Sequence, residues 1–426
     1  MTRLRFSMVV VAALAISACS SGSSGDSGGP VELRFSWWGN EQRAAATQKA
    51  LDAFQNANPT IKVKGEYADF NAYFDRIATQ VAANDAPDVI TMGGVYPREY
   101  GGRGALLDLK EVSGQLDLST LDKAAVSNGN FDNVQYGVPT GVNTYGIVVN
   151  PALFQAAGVP LPDDEKWSWA DYERIAGEIV AKAPPGTVGS EDPTAPEGIE
   201  LFSKQLGEGV YSPEGKVAIS AGTLTRWFEM TTRMRNSGAT PKATVTVEQA
   251  ALSAPEQTLM GKGTAAMRLE WSNRLTALRT ASGKPLQLLR VPGETVNKQA
   301  GMWLQASQLY TVNARSAHPQ EAAKLINFLV SDPAAGAAIG TDRGIPANKK
   351  IRDAIAGSLN EHQKVEVAFI TKVSAKVSPA LVLGPVGSTD TLQILQRINS
   401  DVLFDKIKPA DAARRFIDEV SKAIGG

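Results

Sequence analysis

The sequence predicts an α/β protein with a helix-covered parallel sheet and more than one core. Three observations carry that expectation. From residue 31 onward, short strand-like segments take turns with amphipathic helical ones, the pattern of a parallel sheet with helical crossovers. The chain has 426 residues, enough for two to three domain-sized cores. Its composition is that of a globular protein, 43% hydrophobic and 20% charged, so no disordered or fibrous class fits.

Residues 31–38 form the first expected strand, rich in β-branched and aromatic side chains. Gly39-Asn40 breaks it, and Asn40 suits the cap of a helix over 41–56, with Leu51 and Phe54 on its apolar edge. Asn58-Pro59 stops that helix. Ile61, Val63 and Tyr67 then alternate with Lys62, Lys64 and Glu66, a half-buried strand. Phe74, Ile77 and Val81 recur at helical spacing, and the apolar run 88–92 is the third strand, ended by Gly93-Gly94. Later strands are expected at 136–139, 145–150, 264–269 and 304–312. Helices are expected at 169–183, 224–236, from Pro319, at 389–404 and at 409–424. Pro319 is well placed in a first turn, ahead of a buried stripe of Ala322, Ala323, Ile326, Leu329 and Val330. Residues 184–198 are rich in proline, glycine and acid and read as a surface loop.

The N-terminus has another character. Arg3 and Arg5 precede an apolar stretch over 8–16, too short to span a bilayer as a helix. It ends Ile16-Ser17-Ala18-Cys19, which resembles a bacterial lipobox. That resemblance implies cleavage of residues 1–18 and a diacylglycerol on Cys19. Residues 19–30 then form a Gly/Ser tether, holding the protein to the extracytoplasmic face of the cell membrane. Gly25-Asp26-Ser27-Gly28-Gly29-Pro30 matches a serine-protease nucleophile motif, but it sits in the tether and both histidines, His318 and His362, lie far downstream. Without a rigid scaffold and an upstream base the match carries no chemistry.

Lys plus Arg is 43 against 44 Asp plus Glu, which argues against a nucleic-acid partner. One cysteine and two histidines leave no disulfide and little basis for a metal site, and no cofactor is implied.

Several segments together resemble the extracellular solute-binding proteins of bacterial ABC importers, in the carbohydrate-binding group that includes the maltose-binding protein. They are LRFSWWG at 33–39, FQNANPTIKV at 54–63, APDVI at 86–90, GVP at 137–139, VVNPALF at 148–154, GTAAM at 263–267 and HPQEAA at 318–323. The resemblance implies a two-lobed periplasmic-binding-protein-like fold with a hinge and an interlobe ligand cleft. The lobes it implies are 31–139 plus 305–345 and 140–304 plus 346–426. It implies a monomer that captures a di- or oligosaccharide and hands it to membrane permease subunits, and no catalysis.

A sugar presents C–H faces to aromatic rings and hydroxyls to polar groups. Open α/β sheets place such sites beyond the carboxyl ends of their strands. Strand alternation sends Trp37 and Trp38 to opposite faces, and Trp38, beside Gly39, is the one expected in the cleft. Asn40, Glu41 and Asp69 follow the first two strands. Asn143 and Tyr145 flank the expected crossing, Glu270 and Trp271 follow the strand at 264–269, and Trp303 precedes another crossing. Arg343 offers a fork of donors to hydroxyls. Trp167, Trp169 and Trp227 read as helix-edge core or surface residues and are left out of the site. Two alternatives stand beside the sugar reading. A glycerol-phosphate ligand would use cations such as Arg98, Arg103, Arg268 or Arg343. A surface glycosidase would need two carboxylates, drawn from Glu41, Asp69 and Glu270, about 5–9.5 Å apart.

Overall fold

A computed structural model describes residues 30–425 apart from 40, 94–95, 251, 253, 378–380, 383 and 386–387. The expected signal segment, Cys19, tether residues 19–29 and Asn40 therefore lie outside the described residues.

Eleven strands are present among the described residues. They are β1 Val31–Trp38, β2 Ile61–Ala68, β3 Val89–Met92, β4 Asn130–Phe131, β5 Val134–Gln135, β6 Gly137–Asn143, β7 Tyr145–Val149, β8 Met267–Trp271, β9 Gln287–Leu289, β10 Gln305–Val312 and β11 Ile345–Pro346. The first lobe is built on a six-stranded sheet of order β11-β6-β10-β3-β1-β2. β1 runs parallel to β2 and β3, as the β-α-β-α-β pattern requires, while β10 enters antiparallel between β3 and β6. The second lobe has a three-stranded antiparallel sheet, β8-β7-β9.

Alternation along β1 sets both faces of the first lobe. Leu33, Phe35 and Trp37 are buried against the helix Glu41–Ala57 through Ala50, Leu51 and Phe54. On the other face, the helix Phe70–Ala82 is pinned by the Tyr73 hydroxyl, which reaches the carbonyls of Ser36 (3.1 Å) and Thr91 (2.8 Å). β2 closes the edge with Lys62 and Lys64 exposed, charges that discourage edge-to-edge pairing. The helix Pro319–Ser331 buries the five residues expected of it.

In the second lobe, helices Trp169–Lys182, Ala221–Asn236 and Pro409–Ala423 cover the small sheet. Of the core and surface readings open for Trp167, Trp169 and Trp227, the structure shows core: all three are buried there. The first-lobe cluster around Leu33 and Phe35 runs on continuously to Tyr145, Trp303 and Phe369, joining the sheets across the waist.

Four expectations need correction. The strand placed at 264–269 is β8, Met267–Trp271, so Glu270 and Trp271 belong to the strand rather than follow it. The stretch 184–198 is a surface loop only at its start: 184–186 are exposed, whereas Ser190 and Glu191 are buried and Pro196 opens the helix Pro196–Gln205. β6 remains in the six-stranded sheet through Asn143, beyond the crossing expected at 139/140, because its residues keep pairing with β10. β11 at 345–346 also pairs with β6, and the helix Lys349–Ile355 packs on it, beyond the return to the second lobe expected after 345.

The waist is stitched at Thr144, between β6 and β7. Its hydroxyl donates to the Trp303 carbonyl (2.7 Å), and its carbonyl accepts from the Ser272 amide (2.8 Å). Gly344 lies alongside with φ +85°, and a Cβ there would meet Ser307 Oγ at 2.0 Å. Only glycine fits that close approach.

Candidate ligand-binding site

The waist gathers aromatic side chains from distant segments. Tyr145 and Trp271 are cross-strand partners in the β7–β8 register, with ring centroids 4.1 Å apart and planes inclined at 54°. Trp303 stands 6.5 Å from Tyr145 and donates its indole N–H to Gln305 Oε1 (3.1 Å). Asn128 clasps the start of β10, donating to the Leu304 carbonyl (2.9 Å) and accepting from the Ala306 amide (3.1 Å).

Three cavities surround this cluster. One of about 340 Å³ lies between the lobes, with Gly93, Arg98, Asn128 and Gln305 on the first-lobe side and Pro213, Leu381 and Val382 on the other. Leu381 and Val382 also wall a second, of about 200 Å³, together with Trp303, Tyr211, Glu197 and Glu200. A third, of about 340 Å³, opens on the far side of Tyr145 and is lined by Glu191, Asp192, Arg268, Glu270 and Asn399.

Arg268 organises the third cavity. Its guanidinium pairs with Glu191 and with Glu270 (3.0 Å), and Arg274 approaches Glu270 at 3.9 Å. Burial pushes the Glu191 carboxyl up, and Arg268 opposes that. Burial also raises Glu197, which is hydrogen-bonded to the Tyr145 hydroxyl, and Glu200, which accepts from the Val210 amide at 2.7 Å. The Tyr145 phenol itself is raised, first by burial and then by the charges of Glu197 and Glu270.

The residues expected from the sequence divide into groups. Tyr145, Trp271, Trp303 and Glu270 come together at the waist, and Asn143 sits beside them, buried, opposite Gln305. Trp37 is core, stacked near Tyr67, while Trp38 is half-buried and packs on Phe70, Tyr73 and Phe74, with its ring edge against Gly93 of the interlobe cavity. Glu41 and Asp69 are exposed at the carboxyl ends of β1 and β2. Arg343 is a correction: it is 2% exposed inside the first lobe, donating to Thr47 Oγ1 (2.9 Å), with its guanidinium 5.8 Å from the Tyr310 ring centroid. Its neighbour Asp342 pairs with Arg43 instead (2.7 Å).

The alternatives fare less well. The carboxylates named for a glycosidase are split between the two sheets, and Glu270 is engaged by arginine. The cations named for a phosphate are engaged too: Arg98 pairs with Asp132 (3.7 Å), Arg103 with Glu99 (2.7 Å) and Arg268 with two glutamates, while Arg343 is buried.

Residues 49–365 match the family described as bacterial extracellular solute-binding protein. The chain belongs to this family. Among curated relatives of this solute-binding protein, the diacetylchitobiose binding protein DasA of Streptomyces coelicolor is 26% identical over 382 residues, 86% of this chain and 84% of that one. A lipoprotein of Streptomyces antibioticus, named for the oleD 5' region, is 26% identical over 192 residues, 44% of this chain and 41% of its own. Among solved structures, a family 1 extracellular solute-binding protein from Alicyclobacillus acidocaldarius superposes with a TM-score of 0.82 at 26% identity, covering 94% of this chain and all of that one.

Sequence reasoning missed several residues that line the solute-binding protein's cavities: Asn128, Glu191, Asp192, Glu197, Glu200, Tyr211 and Gln305. Gln305 carried a usable signal, since it follows Trp303 at the start of a crossing strand. Glu191 carried none, because its partner Arg268 lies far along the chain.

The buried carboxylates give the protein a pH signature. Glu191, Glu197, Glu200, Glu294 and Glu366 are all raised above 4.5, each chiefly by burial. A folded pKa above the unfolded one contributes stability that is full below the unfolded value and is lost as pH rises through the folded value. Hydrogen bonds hold Asp117, Asp163, Asp171 and Glu419 low, Glu419 at about 2, so their contribution fades only in stronger acid. The expected result is a higher urea midpoint at about pH 5 than at about pH 7.5 in denaturation curves of the soluble form. An unchanged or rising midpoint over that span would contradict these assignments.

Proposed function

We propose that this chain is the binding subunit of an ABC sugar importer, capturing a di- or oligosaccharide in the interlobe cleft and delivering it unaltered to permease subunits. The observation that carries the reading is the aromatic group Tyr145, Trp271 and Trp303 at the waist, flanked by hydrogen-bonding side chains and open to cavities on both sides. Flat rings beside placed polar groups are what a sugar face needs. The ligand for which the Streptomyces coelicolor relative is named, a disaccharide, supports the same class. The ligand-contacting set is then Trp38, Asn143, Tyr145, Glu270, Trp271 and Trp303, with Asn40, Glu41 and Asp69 at the first lobe's rim. Arg343 supports the hinge from within. The first lobe takes residues 31–143 and 305–355, and the second 145–304 and 361–425. The protein works as a monomer, lipid-anchored through Cys19 outside the membrane, a reading to which the partial lipoprotein relative lends support.

The test is tryptophan fluorescence of the soluble form, beginning after Cys19, titrated with a saccharide panel and with glycerol phosphodiesters. A saturable change with a saccharide, which is then recovered intact, is the expected result. Cleaved sugar would make it a glycosidase, and a response to phosphodiesters alone would move the ligand to that class.

A further inference from the structure

The charge around the aromatic cluster is lopsided, and the inference from it rests on the saccharide reading of the same cleft. The cavity of about 200 Å³ presents the rings of Trp303 and Tyr211 together with the carboxylates of Glu197 and Glu200, and among the described residues neither Lys nor Arg lines it. Lys204 is near, its ammonium 5.9 Å from the Trp303 ring centroid, but it is shared between Glu200 and Glu294. The adjoining cavity sets Glu191, Asp192 and Glu270 against one lining arginine, Arg268, with Arg274 reaching Glu270 from outside. Asp192 is held by neutral donors, Asn399 (2.9 Å) and Thr194 (2.7 Å). Acids outnumber cations even when Lys204 and Arg274 are included.

Glu197 is distinct within this set. Glu191, Glu200 and Glu270 are each at most 7% exposed and tied to a backbone amide, an arginine or both. Glu197 is half-buried, faces the cavity, meets no arginine among the described residues, and accepts from neutral donors, its own backbone amide and the Tyr145 hydroxyl that joins it to the aromatic cluster. A carboxylate beside aromatic faces attracts an ammonium through both its charge and the ring quadrupoles, and the same wall repels an anion.

We propose that the cleft selects saccharides by charge: it rejects uronates and sugar phosphates, and binds a sugar bearing a free amine more tightly than the N-acetylated counterpart, with Glu197 as the selecting residue. Calorimetric titration of the soluble form tests this with disaccharides matched in linkage that differ only in carrying an acetamide, a free amine or a uronate. The measurement is made at a pH where the amine is charged. The amine is expected to bind several-fold tighter than the acetamide, and the uronate about 10-fold weaker or worse. Added salt should shrink the amine preference of the unmutated protein, a readout that needs no variant. In Glu197→Gln the amine-to-acetamide ratio should fall toward one and the uronate's relative affinity should rise. Equal binding of uronate and acetamide, or an amine preference unmoved by both salt and the substitution, would sink charge selection and leave the saccharide reading in place. Heat from a glycerol phosphodiester with none from any sugar would remove the saccharide reading itself.

Discussion

Arg268→Ala should lower the unfolding free energy by about 3–5 kcal/mol, the cost of breaking a buried ion pair from one side. The side chain runs between Glu191 and Glu270, whose side chains are 8% and 10% exposed. Removing it leaves two carboxylates without their principal countercharge. Arg274, at 3.9 Å, remains for Glu270 alone. Among the described residues, Glu191 would keep the Met260 amide, at 2.8 Å. The loss should be largest at neutral pH and shrink in mild acid, because Glu191, already raised by burial, can then take up a proton. Combining Glu191→Gln, Arg268→Met and Glu270→Gln should restore most of the stability, since a neutral trio of similar volume carries no unpaired charge. Urea midpoints for the single and triple variants at two pH values decide it. A single variant within about 1 kcal/mol of the parent would mean that solvent already screens the network.

Trp303→Ala is expected to cost about 3–5 kcal/mol in stability and to abolish measurable ligand binding. The ring is 1% exposed, packs in the cluster that joins the lobes and walls the cavity of about 200 Å³. Its truncation enlarges that cavity and leaves Gln305 Oε1 without the indole donor at 3.1 Å. Trp303→Phe separates the two effects. It keeps an aromatic face, so binding should survive with about 10-fold loss, while the missing N–H and smaller ring cost about 1–2 kcal/mol in stability. Thermal melts and saccharide titrations of both variants provide the readout. Wild-type affinity in a folded Trp303→Ala protein would remove this ring from the site.

The fold was readable where local pattern and final environment agree. Leu33, Phe35 and Trp37 alternate in sequence and are buried together on one face of β1, and the Pro319 helix buries its expected stripe. Reading failed where a partner far along the chain overrode local character. The acidic, proline-rich stretch around Glu191 looks solvated on its own, yet Arg268 and the Met260 amide draw it inward. β6 outran its expected end because β10, more than a hundred residues later, keeps pairing with it to Asn143. For the site, aromatic residues flanking crossing strands were visible, but not that Tyr145 and Trp271 would be register partners. Arg343 offers a fork of donors in the sequence, but nothing local reveals that Thr47 and Tyr310, both distant in the chain, enclose it.

The position of β10 in the first sheet also bears on how the chain matures. It lies between β3 and β6, so one edge of each must wait for residues 305–312, although β3 can already pair with β1 on its other side. A ribosome delivers these residues long after β3, on the order of tens of seconds later at about 5–20 residues per second. The edges of β3 and β6 that β10 will cover stay open throughout that interval. The first lobe is thus begun early and completed late, and a polypeptide leaving the cytoplasm during that delay would do so before its largest sheet could lock it into a compact form.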